Sequence, residues 1–336
     1  MIKLMDCTLR DGANVVGKGF SADLTKLMLD GLVAAKVPII ELGNAGGIGA
    51  YEVAGFTQAE TDATYLELVQ PYLGKADIGM FLNCKRYREH NMDIAKEAGL
   101  NFLRCGVDAG ECHVAFEPIK AIKARGMNAY YSAMKAYLLS PEELAEEAKR
   151  LVDVGLDMFT IMDSAGTMMP DEVSRYTEAL VKAVDIPIAF HGHNNLALSA
   201  ANAMAAYQSG ASILDCGLMG MARSAGNVPT EACVAMMQRK GEMLDIDLYA
   251  MLDCIEKVAA IMKERYDYHN PIPPFDLVLG ISGAHSSFSK LFKNVSAEQG
   301  VPLLPLIVEV SKQNRKNPDE AFIRLVAEEM KGKESK

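Results

Sequence analysis

Eight short apolar runs alternate with amphipathic helical stretches over roughly the first 240 residues, a glycine precedes several of the runs, and no GxGxxG follows the first. Together these predict an α/β protein, a (β/α)8 TIM barrel with a C-terminal helical extension, in preference to an open dinucleotide-binding sheet. The chain has 336 residues, more than the usual single domain, but one large barrel plus an appendage accounts for that length.

The candidate strands are 2–8, 37–44, 76–83, 101–108, 127–136, 157–166, 186–194 and 211–221. Between them the helices have readable ends. Ser21 can cap the helix running to Lys36; SPEELAEEAKRLVDVG places Ser140 at the N-cap, Pro141 at the first helical position and Gly155 just past the end. Gly99, Gly126, Gly155 and Gly210 each stand a few residues before the next run, where a helix C-cap favours a left-handed residue. From Asp245 the rhythm stops, and DLYAMLDCIEKVAAIMKERY, LVLGISGAHSSFSKLF, PLLPLIVEVSKQN and PDEAFIRLVAEEM read as helical segments. The expected division is a barrel over 1–242 and an extension over 243–336, with HNPIPPF (269–275) as a stiff connector and GKESK as a frayed end.

Half the residues are hydrophobic and 23% charged, which excludes disorder, collagen and coiled coil as descriptions of the whole. A net charge of -10 and a pI near 5.2 leave no basis for nucleic-acid or anionic-membrane binding, so small molecules or proteins are the expected partners. The first residues carry charges where a signal peptide needs an apolar run, and no 18-residue apolar stretch occurs, so a cytoplasmic location is expected. The seven cysteines lack CxxC spacing and include Cys7, Cys105 and Cys216 inside apolar runs, which marks them as buried thiols.

In this fold the chemistry sits at the C-terminal ends of the strands. TLRDG (8–12) puts Arg10 and Asp11 directly after the first run, and HGHNN (191–195) ends the seventh. His191 and His193 are two apart in extended chain, so both rings face the barrel mouth. With Asp11 they form a two-His, one-carboxylate set with open positions that suits Mn²⁺, Mg²⁺, Fe²⁺ or Zn²⁺, the residue types not choosing among them. Arg10 can hold an enolate or carboxylate beside the ion, or close the barrel through a salt bridge to Glu41 or Asp163. Glu41, Asn44, Arg104, Asp163, Ser164 and Asp215 also lie near strand ends, and Glu41 and Asp215 read as members of an internal network. Lys135 is the one potential Schiff-base lysine, an alternative that the metal trio disfavours.

TLRDG, HGHNN and SAGN (224–227) together resemble the metal-dependent TIM-barrel lyase superfamily, which includes isopropylmalate synthase, hydroxymethylglutaryl-CoA lyase, the carboxyltransferase domain of pyruvate carboxylase and 4-hydroxy-2-oxovalerate aldolase. DSAG (163–166), HGHNNLALSAANA (191–203), GMARSAGNVPTE (220–231), DLYAMLD (247–253) and GAHSSF (283–288) are most similar to the aldolases, over nearly the whole chain. Departures separate it from the other branches. Met162 precedes Asp163 where the carboxyltransferases carry a carbamoylated lysine, GMARSAGN lacks the cysteine of the CoA lyases, and Ala13 and Asn14 follow RDG where the synthases have Glu-Gln.

The resemblance implies reversible cleavage of a 4-hydroxy-2-oxo acid to pyruvate and an aldehyde, with the ion on Asp11, His191 and His193, Arg10 stabilising the enolate and Ser164 holding the carboxylate. The expected ion is Mn²⁺, with Mg²⁺, Zn²⁺, Fe²⁺ or Co²⁺ as alternatives. The aldolases have a histidine base three residues after the metal-binding aspartate, and here that position is Asn14; they have a tyrosine where this chain has His285. The paired change suggests that His285 has taken over as the base, titrating near the ordinary value of about 6.5. Two alternatives stand beside the aldolase: an acyl-CoA/2-oxo acid condensing acyltransferase, and a non-catalytic metal-binding partner of a dehydrogenase. The resemblance also implies an acylating aldehyde dehydrogenase as partner and a homo- or hetero-oligomer.

Overall fold

The computed structural model describes residues 2–52, 59–268 and 274–334. Its eight parallel strands are β1 Lys3–Asp6, β2 Ile39–Leu42, β3 Asp77–Asn83, β4 Phe102–Asp108, β5 Asn128–Met134, β6 Met158–Asp163, β7 Ile188–Gly192 and β8 Ile213–Cys216. They close in sequence order into one barrel, β8 returning to pair with β1. The helices between them are α1 Ala22–Ala34, α2 Asp62–Leu68, α3 Glu89–Glu97, α4 Phe116–Ala124, α5 Pro141–Asp153, α6 Pro170–Ala183, α7 Ser199–Gln208 and α8 Thr230–Arg239. Five more follow: α9 Leu248–Tyr266, α10 Pro274–Ser282, α11 Ser289–Gln299, α12 Leu303–Gln313 and α13 Glu320–Glu334.

The period of two along each strand sorts the interior into layers. Met5, Cys7, Ile39, Phe102, Met158, Ala189 and Ile213 form an apolar floor. Two residues further along their strands stand Glu41, Arg104, Thr160, His191 and Asp215, all buried. The charged layer thus lies directly above the floor and below the mouth. Gly106, two residues past Arg104, makes room above that layer, since a Cβ there would come within 2.0 Å of the Phe81 ring.

Most helix ends follow the expected chemistry. Ser140 and Glu143 form a reciprocal capping box, Ser140 Oγ accepting from Glu143 N at 3.2 Å and Glu143 accepting from Ser140 N at 2.8 Å. Gly99, Gly126, Gly155 and Gly210 all have positive φ. Ser21 departs from expectation. It occupies the N-cap of α1, but its hydroxyl bonds the Asp23 carboxylate, and Glu60 takes the Ala22 N–H at 2.9 Å.

The strands are shorter than the apolar runs. The first run leaves the sheet after Asp6, because Arg10 N and Asp11 N turn back to Cys7 O. The eighth leaves after Cys216, where Leu218–Gly220 forms a 3-10 turn with Met219 at φ 55°. Apolarity continues through these turns because they are buried, so it overstates pairing.

Residues of α9 (Met251, Cys254, Val258, Met262) belong to the same apolar cluster as the barrel helices, whereas α10 to α13 build a separate one around Leu279, Phe292, Leu306, Val310 and Ile323. The expected connector at 269–275 lies largely outside the described residues, and α13 runs through Glu334, into the segment expected to fray. The second cluster sits over the barrel mouth: Tyr137 Oη donates to Gly283 O at 3.4 Å and Lys135 Nζ to Lys316 O at 3.3 Å. All seven cysteines are free and buried. Among the described residues no helix is long and apolar enough to cross a membrane.

Candidate active site and metal centre

A cavity of about 320 Å³ opens at the C-terminal mouth, lined among others by Arg10, Asp11, Ser164, His191, His193 and His285. Lys135 lines it as well, whereas Glu41, Asn44, Arg104, Asp163 and Asp215 do not. Asn14 also lies off the lining, behind Asp11, its amide donating to Asp11 O at 2.9 Å and Asp11 Oδ1 at 3.2 Å. Asn14 therefore orients the carboxylate.

Asp11, His191 and His193 are buried and converge. Asp11 Oδ2 is 3.5 Å from His191 Nε2 and 3.8 Å from His193 Nε2. Both separations exceed a hydrogen bond and lie near the roughly 3.0–3.5 Å expected between ligands about 2.1 Å from one ion. Asn227, the last residue of SAGN, donates to Asp11 Oδ2 at 2.9 Å. His193 Nδ1 is buried without a hydrogen-bond partner. The donor set and its spacing fit a divalent ion.

Electrostatics keep Asp11 and His193 in ligand form. Burial alone would raise the Asp11 carboxyl, but Arg10 and the two histidines hold it well below the usual range. Burial pushes His193 down to about 3, so its ring is neutral. Burial also works against a charged His191, but the neighbouring Asp11 and Asp215 carboxylates outweigh it and raise the ring above its ordinary value. His191 Nδ1 lies 3.2 Å from Asp215 Oδ2, a contact that fixes the tautomer and turns Nε2 toward Asp11. A second cluster, Cys7, His191 and Asp215, fits a metal poorly: burial raises the Cys7 thiol well above its usual value, and Asp215 is already paired with Arg104.

The layer beneath is a continuous row of charges. Arg10 Nε meets Glu41 Oε2 at 2.5 Å; Arg104 bonds Glu41 at 2.6 and 2.7 Å and Cys7 Sγ at 3.2 Å, and also pairs with Asp215, which reaches His191. The row leaves Arg10 with a spare donor. Its Nη1 meets Asp11 Oδ1 at 3.1 Å, its carbon lies 4.9 Å from the Phe81 ring centroid, and Nη2 is buried without a partner. Of the two salt bridges considered for Arg10, the one to Glu41 forms. Asp163 instead accepts from Thr167 N and Met168 N, each at 3.0 Å, and shapes the DSAG turn. Gly166 completes that turn at φ +60°, where a Cβ would lie 2.6 Å from Asn195 N.

Ser164 Oγ accepts from Lys135 N at 2.9 Å, leaving its hydroxyl hydrogen for the cavity. Lys135 Nζ is paired with Asp108 at 3.1 Å and held by Lys316 O, so it is engaged as a cation rather than presented as an amine nucleophile. His285 corrects the expectation of an ordinary imidazole base. Burial, then Arg223, Lys135 and His193, lowers its pKa well below 6.5. Its Nδ1 accepts from Ser287 N at 3.2 Å, so the neutral ring carries its proton on Nε2 and offers a donor.

Sequence reasoning missed Lys18, Arg86, Asp108 and Arg223, all of which line the cavity. Arg223 stood inside the GMARSAGN element, where a cation between small residues was a usable signal. Lys18 and Arg86 lie on separate loops that only barrel closure brings together.

A closed parallel barrel with a ligand cluster and charged cavity at its C-terminal mouth is the construction of a barrel enzyme. The chain belongs to the HMGL-like family, which matches residues 1–258. It is 32% identical over 332 residues to 4-hydroxy-2-oxovalerate aldolase 2 of Nocardia farcinica, covering 99% of this chain and 95% of that protein. It is 31% identical over 311 residues to oxaloacetate decarboxylase of Mycobacterium tuberculosis, covering 93% and 91%. The carboxyl transferase domain of Rhizobium etli pyruvate carboxylase shares the fold at a TM-score of 0.75 and 14% identity, over 98% of this chain and 60% of that one.

Proposed function

We propose that this protein is a divalent-metal-dependent aldolase, a carbon–carbon lyase that cleaves a 4-hydroxy-2-oxo acid to pyruvate and an aldehyde. The observation that carries the reading is the orphaned Arg10 Nη2 beside the Asp11, His191 and His193 cluster. A divalent ion held by those three side chains, Mn²⁺ in our reading, supplies Lewis-acid polarisation of the 2-oxo acid. In cleavage the C4 hydroxyl passes its proton to a solvent water in the cavity, the C3–C4 bond breaks and its electron pair passes into the pyruvate enolate. The aldehyde departs, and protonation at C3 gives pyruvate. Arg10 Nη2 donates to the oxygen on which charge develops. Ser164 donates to the substrate carboxylate, and His285 Nε2–H replaces a tyrosine hydroxyl as a donor. A cytoplasmic location, an oligomeric assembly and a partner dehydrogenase consuming the aldehyde complete the proposal.

A second reading is decarboxylation of a 2-oxo dicarboxylic acid. Asn14 cannot accept the hydroxyl proton, and His285 presents its protonated nitrogen. Decarboxylation reaches the same enolate with no hydroxyl to deprotonate. Incubation with Mn²⁺, pyruvate and simple aldehydes, then with oxaloacetate, separates the two. Release of CO₂ without any aldol product would replace the first reading with the second, and silence in both together with no exchange of the pyruvate methyl protons would end the enolate chemistry.

A further inference from the structure

Beside the metal cluster lies a second cavity, of about 570 Å³, lined by Lys18, Arg223, Lys290, Ser286, Ser287 and Ser289 among others, with no carboxylate in its walls. It shares Lys18, Arg223 and Ser287 with the first cavity. Three cations and a run of hydroxyls in one hollow run against the composition of a chain whose net charge is -10.

The fold builds this hollow from separate parts. Lys18 follows β1 and Arg223 follows β8, which are neighbours in the closed sheet. The serines and Lys290 come from the helical cluster above the mouth. Ser289 and Lys290 open α11, whose first turn contains no acidic residue, so its leading N–H groups add to the positive potential. The Arg223 guanidinium reaches the Asn14 amide oxygen at 3.5 Å, an acceptor without charge. Burial, followed by Arg223 and Arg86, lowers the Lys18 ammonium, as expected for cations gathered in a poorly solvated space. Ser164 and Lys135 stand at the ends of β6 and β5, in the other half of the ring of strands. A substrate with its 2-oxo acid head at Ser164 therefore extends its tail toward the cations.

We propose that this second cavity receives an anionic group, a phosphate ester or a carboxylate, carried on the aldehyde half of the substrate. The proposal rests on the aldolase reading for its reaction and on the cavity for its specificity. Phosphate and carboxylate present the same chemistry to Lys18, Arg223 and Lys290, and the assay tells them apart.

With Mn²⁺ and pyruvate, kcat/KM for condensation is compared for butanal against succinic semialdehyde and for glyceraldehyde against glyceraldehyde 3-phosphate. One charged aldehyde is expected to exceed its uncharged counterpart by about 10²-fold, the scale of two or three charge-assisted contacts. Arg223→Ala and Lys290→Ala are each expected to reduce that preference about 10-fold. Calorimetry with inorganic phosphate on the metal-free protein gives a readout that needs no reaction, and both variants should weaken that binding. Ratios within about twofold for both pairs, or phosphate binding unaffected by both substitutions, would overturn the proposal. Failure of the wild-type protein to exchange pyruvate methyl protons, with phosphate binding that depends on Arg223 and Lys290, would overturn the aldolase reading and retain the anion cavity.

Discussion

Arg10→Ala separates chemistry from structure because the neighbours of Arg10 have other partners. Deleting the guanidinium removes the contacts to Glu41 at 2.5 Å and Asp11 at 3.1 Å together with the unpaired Nη2. Glu41 keeps Arg104 at 2.6 and 2.7 Å, and Asp11 keeps Asn227 at 2.9 Å and Asn14 at 3.2 Å. Neither carboxylate is stranded, so the loss of stability should be about 1–3 kcal/mol, below the roughly 3–5 kcal/mol of a buried charge with no partner. The rate should suffer more. Losing one donor to a developing oxyanion costs about 10²- to 10³-fold, so exchange of the pyruvate methyl protons should fall by that factor. Arg10→Lys should recover little of it, because one ammonium cannot serve Glu41, Asp11 and the substrate at once. The assay is proton NMR in D₂O with Mg²⁺, read beside thermal melting. An unchanged exchange rate in a protein with a much lower Tm would make Arg10 a structural residue and refute the reasoning.

Asp11→Ala and His193→Ala should each abolish metal retention after dialysis while the far-ultraviolet circular dichroism stays native; full occupancy in either would dissolve the trio. Asp215→Asn should weaken metal affinity about 10- to 100-fold by freeing the His191 tautomer, and should also lower Tm because Arg104 loses half its counter-charge. Because the His285 pKa lies well below 6.5, its ring stays neutral from pH 8 down through pH 6, and it should contribute no inflection to the kcat profile there. His285→Tyr, which keeps a donor, should retain activity within about tenfold, and His285→Phe should lose more. An acid limb centred near 6.5 that disappears in His285→Tyr would restore the base. The same shift makes His285 destabilising in acid, since the unfolded ring takes up its proton as pH falls through about 6.5 and the folded one resists until lower. Acid unfolding of His285→Tyr should accordingly be shallower below that pH.

What the sequence revealed was whatever a short local pattern determines. Asp11 sits one turn past a strand, and His191 and His193 are two apart in extended chain, so their convergence needs little beyond the barrel itself. The pairings beneath them were not legible. Arg104 is 63 residues from Glu41 and 111 from Asp215, and only the register of a closed sheet decides that one guanidinium bridges both. The same holds for Lys18, Arg86 and Arg223, whose loops meet through closure. His285 shows a finer limit: its residue type suggested a base, whereas the backbone N–H of Ser287 settles which nitrogen is protonated. Strand lengths were overread at LMGM (218–221) because buried turns and buried strands have the same composition.

The row Arg10, Glu41, Arg104, Asp215, His191 also constrains how this gene can drift. A codon change that neutralises Glu41 leaves two guanidiniums facing each other, and one that removes Arg104 leaves Glu41 and Asp215 short of counter-charge in the barrel's interior. Neither change is neutral alone, and the compensating codon lies dozens of positions away. Lineages descending from this sequence should therefore keep these positions or exchange them in concert, while the exposed helix faces diverge freely. Recombination that joins the first four strands of one relative to the last four of another would separate Arg104 from Asp215, and should succeed only between parents whose rows match.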